Sequence, residues 1–189
     1  MSPLAAAACL RDRRLNMREL VLHPDSPSGP ASGITAVIRP TEAGLAVSFA
    51  IRGDLAAIVV PRPQEPGRGD DLWRTTCCEV FWQEEGAPNY TEFNLSPSGR
   101  WAAYAFTDYR AGREDLPVGG VAVTTEAEGD VLRLEADIDA DFRFPAQVGL
   151  SVVVEGEGGE MQFWALRFPD GEPDFHSAEC QVLGLAGRL

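Results

Sequence analysis

No apolar run in this chain approaches the roughly 18 residues that a membrane span needs. Basic residues are scarce: 16 stand against 29 acidic ones, a net charge of −13 with histidine neutral. So acidic a chain lacks the footprint that displaces counterions from phosphates, which argues against nucleic acid as a partner. The same balance disfavours an anionic membrane surface. Cysteine is sparse, at Cys9, Cys77, Cys78 and Cys180, and no CxxC pair occurs. The two histidines, His23 and His176, are far apart, so the spacing of a zinc finger is missing and no metal is expected. A sustained 3.6-residue apolar period is also missing, and with it any long amphipathic helix.

What is present suits a packed, turn-rich globule. Apolar residues make up 44% of 189 residues, enough for a core, and 19 Gly and 14 Pro are spread along the chain rather than periodic. The length fits one domain. Pro3 to Leu10 is apolar, but Arg11, Asp12, Arg13 and Arg14 follow it, the reverse of a secretory leader. Residues 1–16 are therefore expected to be a disordered tail, with a single domain over 17–189. Reduced thiols and a cytoplasmic location are expected with them.

Alternation of period two dominates from Gly33 onward. Leu45, Val47, Phe49 and Ile51 share one parity, and Gly33 to Arg39 precedes them across a Thr41–Gly44 turn, which predicts a hairpin. Further strands are predicted over Ala56–Val60, Arg74–Gln83, Tyr90–Leu95, Trp101–Phe106, Val121–Thr125, Val131–Ile138, Val148–Val154, Met161–Arg167 and Gln181–Leu185. Only Asp139–Phe144 and the amino terminus hint at a helical turn. About ten short strands between turns predict an all-β, two-sheet antiparallel β-sandwich of jelly-roll or immunoglobulin-like type, with little helix.

The aromatic and polar residues cluster after the charged loop Pro61–Asp71. Trp73 and Glu79 share strand parity, and they approach more closely if Trp73 lies in the loop leading in. Glu79 within an apolar strand needs a partner if it points inward. Flat aromatic faces beside carboxylates, amides and Arg are what sugar recognition requires: rings pack on C–H faces and planar polar groups engage neighbouring hydroxyls. Glu79 and Glu92 fall on adjacent predicted strands, so a carboxylate pair acting as an enzyme on sugars is the catalytic alternative.

Three blocks occur in order: Leu72-Trp-Arg-Thr-Thr-Cys-Cys-Glu-Val-Phe, Tyr90-Thr-Glu-Phe-Asn-Leu-Ser-Pro-Ser-Gly-Arg-Trp-Ala-Ala-Tyr104, and Phe163-Trp-Ala-Leu with Pro173-Asp-Phe-His176. In these blocks the chain resembles bacterial DOMON-like domain proteins, which are similar in turn to family 9 carbohydrate-binding modules. The resemblance covers about Met17 to Leu185 and implies a β-sandwich that binds a glycan or similar polyhydroxylated small molecule without catalysis. It implies a sugar ring held between Trp73 and Trp164, with Glu79 and Asn94 taking hydroxyl hydrogen bonds and Arg100 or Tyr104 adding one. The modules use a basic side chain where Asn94 stands. No cofactor is expected for this role. Haem-carrying members of the wider DOMON group use Met and His ligands, for which the candidates here are Met161 with His176 or His23. The sugar pocket requires that neither indole be entombed in the core.

Overall fold

The computed structural model describes residues 17–187. The expected tail over 1–16 lies outside them. The described chain is all-β. Its strands are β1 (Met17–Leu22), β2 (Ala31–Pro40), β3 (Gly44–Gly53), β4 (Gly67–Arg68), β5 (Cys77–Glu84), β6 (Tyr90–Leu95) and β7 (Arg100–Phe106). They continue as β8 (Glu114–Asp115), β9 (Gly120–Glu128), β10 (Val131–Asp139), β11 (Ala146–Glu155), β12 (Met161–Ala165) and β13 (Leu183–Leu185). Helical structure is limited to short 3-10 turns at Leu55–Ala57, Leu72–Arg74 and Ala178–Cys180.

The strands do not form two separate sheets. They hydrogen-bond in one path, β4-β7-β6-β5-β11-β12-β1-β2-β3-β10-β9, with β13 branching from β11 and β8 from β7. All these pairings are antiparallel except that of β4 with β7, so the sheet is mixed. The join lies in β1. Its first four residues pair with β2, from Met17↔Val37 to Leu20↔Ile34, and its last two pair with β12, at Val21↔Ala165 and Leu22↔Trp164. One sheet thus curls around a single core and nearly closes into a barrel, which corrects the expected two-sheet sandwich. Alternation reports which side of a strand is buried but not which strand is shared between two neighbours.

The core fills the inside of the curl. Phe49, Leu45, Ile34 and Leu134 from one half meet Val80, Phe93, Leu150 and Val152 from the other, all buried. A smaller apolar cluster lies on the opposite face of β5, β6 and β7. It comprises Phe81, Tyr90, Ala102, Tyr104 and Phe106, with Leu72 and Phe175 packed on it. That second cluster marks the face which carries the candidate site.

Three local expectations need correction. Ala56–Val60 is not a strand: the Asp54 carboxylate accepts the Ala56 N–H at 3.2 Å and caps a 3-10 turn, leaving one isolated bridge, Ile58↔Gly156. Met17–Leu22, where no strand was predicted, is the strand that joins the halves, and the helical hint at the amino terminus lies outside the described residues. Asp139–Phe144 is not helical either, because Phe142 is drawn into the core against Trp82, at a ring separation of 4.8 Å.

Candidate functional site

Strand register brings the polar residues together before any loop does. The pleat places Glu79 and Phe81 of β5, Tyr90, Glu92 and Asn94 of β6, and Tyr104 and Phe106 of β7 on one face. Glu79 pairs with Asn94, Phe81 with Glu92, and Glu92 in turn with Tyr104. Glu79 and Glu92 are therefore diagonal neighbours. A cleft of about 440 Å³ stands over them. Trp73 lines it from the 3-10 turn before β5, as do Phe163 of β12 and Phe175 and His176 of the following loop.

The six residues expected at the site divide into three groups. Trp73, Glu79 and Tyr104 line the cleft, with Trp73 46% exposed and Glu79 only 3%. Asn94 lies beneath it, fully buried, and its amide donates to Glu92 Oε1 at 2.6 Å, so it positions a carboxylate rather than meeting the cleft itself. Arg100 and Trp164 are elsewhere. The Arg100 guanidinium donates to the Arg68 carbonyl, and its buried Nε has no partner among the described residues. Trp164 is 6% exposed and part of the core, opposite Val152 and Leu22. The two-indole pocket is therefore not formed. Alternation along β12 turns Trp164 inward and its neighbour Phe163 outward, so a phenylalanine occupies the place expected for the indole.

Burial decides the electrostatics. Desolvation pushes the Glu79 carboxyl up to about 8, the negative charge of Glu92 adds to this, and the Ser151 hydroxyl, which donates at 3.1 Å, opposes it. Glu92 is raised as well, mainly by burial, against the stabilising amide of Asn94. Burial, with the nearby Arg110 charge, lowers His176 to about 4, so its imidazole is neutral near pH 7. Its Nε2 lies 3.8 Å from Glu92 Oε2, too far for a hydrogen bond, and a neutral ring makes no ion pair there. On its other side, Nδ1 is 2.7 Å from the Tyr90 hydroxyl, which also accepts the Arg110 N–H at 3.2 Å. The pattern is satisfied when Tyr90 donates to Nδ1, which leaves the ring proton on Nε2 beside Glu92.

The rim is held by Asp174. Its carboxylate accepts from Arg110 and from the Tyr109 hydroxyl, each at 2.7 Å, and from the His176 N–H at 3.1 Å. Arg113 lies over the Tyr104 ring, 4.9 Å from its centre, and the Tyr104 hydroxyl donates to Asp70 at 3.0 Å. Arg110, Arg113, Phe163, Phe175 and His176 were not expected at the site from sequence. Phe163, Phe175 and His176 stood in the third block of the resemblance, and His176 was weighed only as a haem ligand, while Arg110 and Arg113 left no trace.

Cys77, Cys78 and Cys180 are free. Cys77 and Cys78 point to opposite faces as their adjacency requires, and burial keeps both thiols protonated. The residues do not fit an axial haem pair. His176 lines the cleft with Nδ1 engaged by Tyr90, whereas Met161 is not among the cleft residues. His23 Nδ1 accepts the Asp25 N–H at 3.1 Å.

No protein-family model matches the chain, and no curated protein sequence matches it. By structure it is similar to a putative carbohydrate-binding protein from Bacteroides uniformis, solved by crystallography. The TM-score is 0.66 at 16% identity, over 96% of this chain and 91% of that one. At that identity the likeness establishes a shared all-β fold.

Proposed function

We propose that this protein is a non-catalytic binding module for a carbohydrate or similar polyhydroxylated small molecule, held in the cleft between Trp73 and Phe163. Kinship with DOMON-like proteins and family 9 carbohydrate-binding modules is part of this reading, as is a cytoplasmic location. The observation that carries it is an exposed indole standing over two buried carboxylates in a cleft of about 440 Å³. A pyranose ring matches that inventory: its C–H face packs on Trp73 while Glu79, Glu92 and the His176 Nε2–H meet its hydroxyls. The fold shared with the Bacteroides protein, whose name records carbohydrate binding, supports the same reading.

Calorimetry with a monosaccharide and oligosaccharide panel tests it, run on the protein and on Trp73→Ala. Saturable heat that weakens at least about tenfold in Trp73→Ala is expected, since stacking on an exposed ring supplies a large share of such affinity. Heat unchanged by the substitution overturns the assignment. The competing reading is hydrolysis by Glu79 and Glu92, favoured by two acidic side chains in one cleft with raised protonation ranges. Turnover of a glycoside that disappears in Glu79→Gln would replace the binding reading with that one.

A further inference from the structure

We infer that the cleft is built for a sugar that carries a protonated amine, not for a neutral one. This inference rests on the binding role proposed above and names the chemical class of its ligand. It starts from an imbalance among the side chains.

Glu79 is almost wholly buried, yet the Ser151 hydroxyl at one oxygen is the hydrogen bond it receives among the described residues. Glu92 receives one from Asn94 at Oε1, and its Oε2 has the imidazole of His176 at 3.8 Å. Each carboxylate thus has one oxygen without a hydrogen-bond donor among the described residues, in a cleft where an ionised acid needs a partner.

Two guanidiniums stand at the rim, and they do not close this gap. Arg110 is committed to Asp174 at 2.7 Å. Arg113 lies over the Tyr104 ring rather than on a carboxylate. Glu92 feels both arginines, whereas Glu79 feels only Arg110, which Asp174 already engages. Consistent with this, both acids remain harder to ionise than usual despite the arginines. The thiols of Cys77 and Cys78, also beside Glu79, are neutral and add no positive charge.

The surrounding walls are aromatic: Trp73, Tyr104, Phe163 and Phe175. Trp73 and Tyr104 already carry Arg74 and Arg113 over their rings, at 5.0 and 4.9 Å from the ring centres, so the faces offered to a partly dehydrated cation are those of Phe163 and Phe175. An ammonium group is a compact donor of three hydrogen bonds, so one such group can serve both free carboxylate oxygens. A bare metal ion suits the site less well, because no group of three or more His, Cys, Asp and Glu among the described residues is arranged to hold one.

The test compares D-glucosamine and 6-amino-6-deoxy-D-glucose with D-glucose and N-acetyl-D-glucosamine by calorimetry at about pH 6.5, where Glu79 is protonated and the amines are charged. At least one amino sugar should bind about tenfold or more tighter than its neutral counterparts, the gain of one charge-assisted contact. Its binding should also release up to one proton, read as a heat that depends on the ionisation enthalpy of the buffer, because the cation draws Glu79 into its charged form. In Glu92→Gln the ratio of amino-sugar to neutral-sugar affinity should fall toward one, and the buffer dependence in the unaltered protein stands if that variant does not fold. Neutral sugars binding as well as amino sugars, or amino-sugar binding without proton release, would overturn the inference while leaving the binding module intact. If no sugar of either kind bound, both readings would fall.

Discussion

The hydroxyl of Tyr90 and Nδ1 of His176 meet at 2.7 Å across 86 residues of sequence, fastening the loop after β12 to the start of β6. Tyr90 is itself fixed by stacking on Phe106, at 4.7 Å between ring centres and 4° between planes. The cleft wall that holds Phe175 and His176 thus hangs from a rigid aromatic pair.

Tyr90→Phe isolates the hydroxyl, since the ring and its stacking are retained. The substitution leaves the Arg110 N–H and His176 Nδ1 without their partner. Unfolding in urea should show a loss of about 1–3 kcal/mol, the usual penalty for stranding polar groups in a partly buried site. A variant as stable as the parent would show that this contact is dispensable.

Stability should fall as pH rises from about 6.5 to 8. Glu79 binds its proton more tightly in the folded protein, so its contribution is full in acid and is lost as the pH climbs through about 8. Glu92 acts in the same direction. His176 does the opposite: its contribution is present above about 6.5 and is lost as the pH falls toward 4. Below about 6.5 the two effects oppose each other, and above it the carboxyl effect stands alone. One proton gives a slope of at most about 1.4 kcal/mol per pH unit. Urea midpoints across this range, repeated with Glu79→Gln, provide the check. The variant should lose most of the slope.

The two tryptophans once expected to act together should behave as opposites. Trp73 is 46% exposed, so Trp73→Ala should change stability by less than about 0.5 kcal/mol. It should also remove much of the fluorescence that acrylamide quenches. Trp164→Ala empties a core position and should cost about 3–5 kcal/mol. Equal costs from the two substitutions would contradict the placement of both rings.

Asp174→Asn should loosen the rim without unfolding the protein. The pair with Arg110 is half exposed on the arginine side, and such pairs contribute about 1 kcal/mol or less. Local opening is the more sensitive readout. Amide exchange in residues 107–112 and 170–177 should quicken, with that of β10 and β11 unchanged.

Alternation made the strands legible and left their assembly hidden. Tyr90–Leu95 is observed with the bounds expected, and β2, β3, β5, β7, β9, β10 and β11 differ from expectation mainly at their ends. β1 was missed because six residues divided between two partners never show a full alternating stripe on one face. At the site, Glu79 was legible as a carboxylate among apolar neighbours, and Trp73 as an indole beside a charged loop. Trp164 was misplaced by one residue of parity, which is enough to send a side chain through the sheet. His176 was noticed but given another role, and Arg110 was missed altogether, because their positions depend on contacts between loops distant in sequence.

The sharing of β1 has a practical consequence for anyone wishing to dissect this molecule. The cleft belongs to the strands around β5, β6 and β7, yet β12, which supplies Phe163, continues the hydrogen-bond path straight into β1 and from there into β2. Trimming the chain through Leu22 would bare two ladders at once and uncover the shared interior. The half that carries the cleft cannot be excised as a minimal module, and melting should proceed as one indivisible event.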